Sequence, residues 1–245
     1  MRFNEFHADV QAFTQAATAD EITALCRGFG ERLGFSAFVY ALRIPTKLVE
    51  AQLVIHQSYP AAWTKHYFEN RYYDVDPVIE YCTANFTPLT WDRVQFEPGS
   101  EAEKMMRMAG DFGLRAGLSV PVHSPFGELG ILSFAMDQNT SDAQRTVLAA
   151  VPYVHLLSTY LHEAVRRVER LTVQEPNSKL SMRELECLRW VADGKSSWSI
   201  GQIMSLSERT VNFHIECAMA KLNVCNRQHV IAKAIVTGIL QPRPF

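Results

Sequence analysis

Six residues in the first half of the chain could together hold a small polar molecule: Tyr59, Trp63, Tyr67, Tyr72, Asp76 and Trp91. Tyr59, Trp63 and Tyr67 fall four apart, so on a helix they share one face. Each ring is large and apolar but ends in a hydrogen-bonding group, which suits a ligand wall and equally a protein core. Asp76 precedes Pro77 and is the odd member. It could simply start a turn, as Asx-Pro commonly does. Catalysis by a metal would need grouped ligands, and the eight histidines are scattered. The five cysteines show no C-x-x-C spacing, which argues against a disulfide framework or zinc knuckle and points to a reducing cytoplasm.

A second set lies near the C-terminus. Ser181 and Glu184 stand three apart before an apolar run, the pattern of a capping box. The helix they open should end at Asp193-Gly194. Ser196 or Ser197 could cap a short second helix containing Ile200 and Ile203. After a turn at Met204-Ser205-Leu206, Ser207-Glu208-Arg209-Thr210 opens a third. Two short helices joined by a tight turn describe a helix-turn-helix. On the last of them, Val211, Ile215, Ala218 and Leu222 form one apolar stripe. The opposite face carries Arg209, Phe213, Glu216, Cys217 and Ala220, with Asn212 beside them. Side chains of that size and polarity suit the major groove: Asn212 for adenine, Phe213 for a thymine methyl, Glu216 for cytosine. Lys195, Arg209 and Lys221 would meet phosphates, and Thr210 sits at the helix N-terminus, whose free N–H groups suit another. A small helical bundle that binds protein is the rival reading of this segment.

These two sets need elements to position them. The chain has 245 residues, with 47% apolar and 20% charged, values of a folded globular protein of one or two domains. Its net charge of −2 conceals a basic excess of +4 after Asn177 and an acidic excess of −6 before it. That asymmetry fits a nucleic-acid module attached to an acidic body. No apolar run is long enough to span a membrane, and the N-terminus lacks a secretory pattern. A single helix is expected from Val10 to Leu33, strands at Ser36–Ile44 and Ala51–His56, and a helix from Tyr59 to Asn70 entered at Pro60. Two more strands, Leu118–His123 and Glu128–Met136, are joined by Ser124-Pro125-Phe126-Gly127. Hairpin links imply an antiparallel sheet with helices on its faces. The helix Ser141–Leu171 carries a heptad-like stripe of Val147, Val151, Val154, Ser158, Leu161, Val165 and Val168. That stripe fits equally a helix packed on its own sheet and a subunit interface. Pro152 could kink it.

The C-terminal residues closely resemble the LuxR-type helix-turn-helix: Ser181 to Glu184, Leu188, Gly194-Lys195, Ile200-Gly201, and Ser207 to His214. That resemblance implies a four-helix DNA-binding unit with a last helix near Arg227–Thr237. The first part resembles the acyl-homoserine lactone receptor domain of quorum-sensing LuxR-type regulators. The matching pieces are Tyr59-Pro60, Trp63, Tyr67, Asp76-Pro77, Trp91, and Gly113-Leu114 with Gly117-Leu118-Ser119 and Pro121-Val122.

The resemblance implies an α+β protein: an α/β/α sandwich with an antiparallel sheet over 1–171, a linker at 172–177, and an all-α unit over 178–245. In the implied site, Trp63 donates to the lactone carbonyl and Asp76 accepts the amide N–H. Tyr59 and Ser133 donate to the amide carbonyl, Trp91 and the sheet's aliphatic residues wall the ring and tail, and Tyr67 is a further member of the site. The implied partners are the lactone, a second copy of the chain, a two-fold-symmetric site on double-stranded DNA, and RNA polymerase. No cofactor, metal or membrane is implied, and the expected location is the cytoplasm. Dimerisation would use the long helix and the last helix. The alternatives are an orphan regulator sensing another acyl compound or none and, far behind, a lactone-processing enzyme.

Overall fold

The structure is a computed structural model, described over residues 3–47, 50–125, 127–169 and 180–241. The chain divides into two compact units. One comprises Met1–Arg43, Leu53–His123 and Leu129–Leu171; the other comprises Ile44–Gln52, Ser124–Glu128 and Thr172–Phe245. The expected linker at 172–177 lies outside the described residues. No helix among the described residues is long and apolar enough to cross a membrane.

The first unit is α+β. It opens with two helices, α1 (Phe3–Gln15) and α2 (Ala19–Arg32), where the apolar periodicity predicts one. The break has a local cause. Thr18 accepts from the Glu21 N–H at 3.2 Å, and the Glu21 carboxylate accepts from Ala17 N–H at 2.7 Å. Those bonds satisfy donors at a helix start and set a new axis.

Five strands follow: β1 (Ala37–Pro45), β2 (Ala51–Gln57), β3 (Leu89–Thr90), β4 (Ala116–His123) and β5 (Leu129–Met136). Their order is β2-β1-β5-β4-β3, and β1–β5, β4–β5 and β3–β4 are antiparallel. Residues two apart along a strand face the same way. Leu132 and Phe134 of β5 face α2, where Phe29 and Phe134 lie 6.0 Å apart. Ser133 and Ala135 therefore face the opposite side, which holds α3 (Ala61–Glu69), α4 (Pro77–Ala84) and α5 (Glu101–Asp111). The helix expected over Tyr59–Asn70 is thus shorter, with Pro60 at its N-cap position.

The longest helix, α6 (Ser141–Val168), crosses the first side of the sheet. It resolves the ambiguity of the long stripe. Val154, Leu161 and Val165 are fully buried and Ser158 nearly so, packed within their own unit. The subunit-interface reading of that stripe is corrected accordingly. The exposed apolar residues of α6 are others, Leu148, Leu156 and Tyr160, in step with the exposed Pro152. On β1, the Tyr40 hydroxyl lies 2.7 Å from Nδ1 of His162 on α6, a buried polar pair that ties helix to sheet.

Over the described residues 180–241 the second unit is helical: α7 (Met182–Ala192), α8 (Ser197–Met204), α9 (Glu208–Lys221) and α10 (Arg227–Val236). Both bonds of the Ser181–Glu184 capping box form. Between α8 and α9 the chain turns through Ser205 in the left-handed region, φ 57°. A Cβ at Gly201 would meet the Leu206 carbonyl oxygen at 2.6 Å, so only glycine admits this turn.

Candidate functional site

The aromatic cluster forms on the side of the sheet opposite α6. Trp63 is buried on α3, and Tyr59, Tyr67, Tyr72 and Trp91 pack into the cluster that contains it. Trp63 stacks on Tyr72 at 6.1 Å and meets the edge of Tyr67 at 5.8 Å. Asp76 joins through Tyr67, whose hydroxyl donates to Oδ2 at 2.8 Å. Its other oxygen accepts from the Val78 N–H at 2.8 Å, so Asp76 is also the N-cap of α4, with Pro77 in the first turn. The turn reading of Asp76-Pro77 becomes a helix start, and one carboxylate serves both the helix and the aromatic cluster.

The electrostatics follow from burial. Desolvation pushes the Asp76 carboxyl above its ordinary pKa, against the pull of the Tyr67 hydroxyl and the Val78 and Ile79 N–H groups. Desolvation, reinforced by the neighbouring Asp76, also raises both Tyr59 and Tyr67, so the phenols remain proton donors. Among the described residues, neither the Trp63 indole N–H nor the Tyr59 hydroxyl has a hydrogen-bond partner. The cluster therefore offers two open donors beside a buried acceptor.

Trp91 and Ser133 belong to a chain of three. The Trp91 indole N–H donates to Ser119 Oγ at 2.9 Å, and Ser119 lies 2.7 Å from Ser133 Oγ across the β4–β5 pair. Trp91 thus positions hydroxyls besides walling the site. Sequence reasoning marks Ser119 only as part of a motif; its alternation with apolar neighbours on β4 is the available sign of its direction. Gly117 makes room for the arrangement. A Cβ there would collide with the Phe134 carbonyl oxygen and come within 3.1 Å of the Trp91 indole. The structure therefore brings Tyr59, Trp63, Tyr67, Asp76, Trp91 and Ser133 together.

In the second unit, α9 splits by face. Val211, Ile215, Ala218 and Leu222 are buried, and Arg209, Asn212, Phe213 and Glu216 share the exposed side, with Phe213 59% exposed. Asn212 is held by Ser197, whose hydroxyl donates to Oδ1 at 2.6 Å while accepting from Arg227 at 2.8 Å. That grip fixes the Asn212 amide on the exposed face. Thr210 meets Ser207 at 2.7 Å within the cap of α9, and Lys195 is exposed in the turn before α8.

Lys221 is placed differently from expectation. Its ammonium donates to both oxygens of the buried Glu184, at 2.9 and 2.8 Å. Burial would raise the Glu184 pKa, but Lys221 and the Ser181 cap outweigh it and hold the carboxyl below its usual value. Lys221 is therefore a clamp between α7 and α9, correcting its assignment to phosphate. Lys221→Ala should destabilise the folded protein by roughly 2 kcal/mol, less than for a fully buried pair because the lysine is 38% exposed. The depressed acid contributes stability above its unfolded pKa that is lost as pH falls through its folded value. Acid melts of the variant should therefore lose part of that slope. Glu216→Gln should leave the melt unchanged and alter preference at one base position by about 1–3 kcal/mol. An unchanged Lys221→Ala melting curve would contradict the clamp.

Comparison with known proteins agrees with both halves of this geometry. The autoinducer binding domain matches residues 18–165, and the domain of bacterial regulatory proteins of the luxR family matches 178–234. The chain belongs to the LuxR family. Among its LuxR-family relatives, the transcriptional activator AhyR of Aeromonas hydrophila is 33% identical, covering 95% of this chain and 91% of its own. The transcriptional activator LuxR of Aliivibrio fischeri is 32% identical over 83% of this chain and 81% of its own. Among solved structures, SdiA of Escherichia coli superposes with a TM-score of 0.77 at 27% identity, covering 98% of this chain and 99% of that one. SdiA in complex with octanoyl-rac-glycerol gives 0.78 at 27%, covering 98% and 97%. The protein is thus a regulator with an autoinducer-binding unit and a helix-turn-helix unit.

Proposed function

We propose that the protein is a quorum-sensing transcription regulator that binds an acyl-homoserine lactone in its first unit and, as a homodimer, a two-fold-symmetric DNA site through its second. The observation that carries the ligand class is the buried Asp76 carboxylate beside two open donors, Trp63 N–H and Tyr59 O–H. An acyl-homoserine lactone offers one amide N–H and two carbonyls, matching that inventory in type and number. Trp63 would take the ring carbonyl and Asp76 the amide N–H. Tyr59 and Ser133 would take the amide carbonyl, while Tyr67 steadies Asp76 and Trp91 walls the ring. The ligand is bound rather than hydrolysed, and the protein is not an enzyme. The domains would be 1–171 and 178–245, joined at 172–177.

The second copy would seat on the exposed row of α6 formed by Pro152, Leu156 and Tyr160, which recurs every fourth residue. Exposed Ile235 on α10 would supply a smaller contact. On DNA, Arg209 and Lys195 would meet phosphates, with Thr210 at the N-terminus of α9, while Asn212, Phe213 and Glu216 face the bases. RNA polymerase would be the further partner, and the cytoplasm the place of action.

The test is calorimetric titration of the full chain with lactones of increasing acyl length, followed by DNA binding with and without the best one. Saturable one-to-one binding that also tightens sequence-specific DNA binding is expected. The complex of SdiA with octanoyl-rac-glycerol favours one other reading, a different acyl compound in the same site. Tighter binding of octanoyl glycerol than of every lactone would select it. Turnover of the lactone during the titration would overturn the non-enzymatic assignment.

A further inference from the structure

The first unit has a cavity of about 700 Å³, lined by residues of α5, the start of β4 and the N-terminal turns of α6. It opens where the sheet edge is bare. The short β3 pairs only with Leu118 and Ser119, so Ala116 and Gly117 have a strand on one side alone. Trp91 is the shared wall: it lines this cavity and also packs into the cluster around Trp63. Its indole N–H, however, belongs to the inner chain through Ser119.

This cavity and the cluster around Trp63 differ in chemistry. The cluster offers a half-buried acceptor and neutral donors. The cavity has an apolar floor, including the buried Leu114 and Val147, with the exposed Phe96 and Leu148 also among its lining. Four arginines line it as well. Arg115 pairs with Asp137, and Arg145 with Asp142. Arg93 and Arg107 are exposed and have no ion-pair partner among the described residues. Of the acids lining the cavity, Glu103 accepts from the Gly99 N–H at 2.6 Å, leaving Asp92 as the acid with no such bond. Two uncommitted guanidinium groups beside an apolar floor match a ligand with one anionic end and one apolar end. A planar guanidinium receives a carboxylate through paired hydrogen bonds, which a neutral lactone cannot supply.

We infer that this outer cleft is a second ligand site, taking a small amphiphilic carboxylate with its chain on the Leu114–Val147 floor and its head group on Arg93 and Arg107. Such a carboxylate has two chemical sources: a free fatty acid, or an acyl-homoserine whose lactone ring has opened. The inference does not depend on what binds at the Trp63–Asp76 cluster.

The experiment titrates sodium octanoate and ring-opened N-octanoyl-homoserine separately into the full chain, with sodium acetate as the head group alone. The same titrations use Arg93→Gln/Arg107→Gln and Asp76→Asn. One-to-one binding of at least one acyl carboxylate is expected, weakened about tenfold or more in the double arginine variant and unchanged in Asp76→Asn. Preference for octanoate identifies the fatty-acid source, and preference for the acyl-homoserine identifies the opened ring. A melting temperature equal to wild type checks that the arginine variant is folded, as its exposed positions imply. Four results overturn the site: no binding up to about 1 mM, acetate binding as well as octanoate, no effect of the arginine substitutions, or loss of binding in Asp76→Asn. Failure of the inner site to take lactones would appear in the lactone titration alone and leave these outcomes readable.

Discussion

Leu161→Asp is expected to abolish the folded first unit, whereas Leu156→Asp and Tyr160→Asp should leave it folded. Leu161 has no exposed surface, and its side chain fills the contact between α6 and the rest of its unit. Truncating such a leucine costs about 2–5 kcal/mol. An unpaired carboxylate in the same place costs several more. Together these approach the whole stability of a domain, about 5–15 kcal/mol. Leu156 and Tyr160 are 47% and 37% exposed, and a charge there stays in water. If the exposed row of α6 seats a second copy, the latter variants become folded monomers. Thermal melts by circular dichroism and sedimentation of the full chain separate the cases. A Leu161→Asp protein with the wild-type melt would refute the packing, and dimeric Leu156→Asp/Tyr160→Asp would move the interface elsewhere.

Asp76→Ala should weaken lactone binding roughly ten- to a hundredfold, the loss of a hydrogen bond to a charged group worth about 1.5–3 kcal/mol. It also removes the N-cap of α4, a further cost of about 1 kcal/mol to the fold, offset by relief of a buried charge. Asp76→Asn is the sharper probe because Asn caps helices as well as Asp does. It should lose less affinity and, above all, lose a pH dependence.

The sign of that dependence follows from burial. Asp76 has a folded pKa above its unfolded one, so the empty unit binds the proton more tightly than the unfolded chain does. Its stability therefore falls as pH rises from the unfolded value through the raised one. The ligand N–H favours the carboxylate, so lactone affinity should rise through the same window and level off above it. Titrations across pH with wild type and Asp76→Asn check this. Identical pH profiles would remove Asp76 from contact with the ligand.

Local chemistry was legible in the sequence where a helix end announced itself. Ser181 with Glu184, and the glycine at 194 with its φ of 78°, mark α7 on composition alone. The break between α1 and α2 was equally written in Thr18 and Glu21, but the apolar spacing from Val10 to Leu33 ran on through it. Helix α4 hid behind Asp76-Pro77, which opens a turn and a helix with the same two residues. Helix α5 went unmarked, although Ser100 accepts from the Glu103 N–H at 3.2 Å and caps it.

What could not be read was choice between long-range partners. The heptad-like stripe of α6 has one spacing whether it meets its own sheet or a second copy. Lys221 is a basic residue at a helix end until Glu184, 37 positions away, is folded against it. The aromatic cluster was visible because its members are close in sequence. The hydroxyl chain from Trp91 to Ser133 was not, because it depends on the register of β4 against β5.

The clamp at Lys221 bears on how the protein searches a genome. Among the Lys and Arg residues described over 180–241, Arg183, Lys221, Arg227 and Lys233 are bonded within the unit, and Arg189 is half-buried. Lys195 and Arg209 are the exposed cations left without a partner there. Each phosphate neutralised releases bound counterions, and binding weakens with salt in proportion to their number, by about 0.9 in logarithmic slope per contact on B-form DNA. Two such cations per copy would give the proposed homodimer a slope of only about −4 from this source. Non-specific duplex then holds the protein weakly at cellular ionic strength. In the proposed homodimer, retention at a target would fall instead to Asn212, Phe213 and Glu216 of α9 and to the simultaneous grip of two copies.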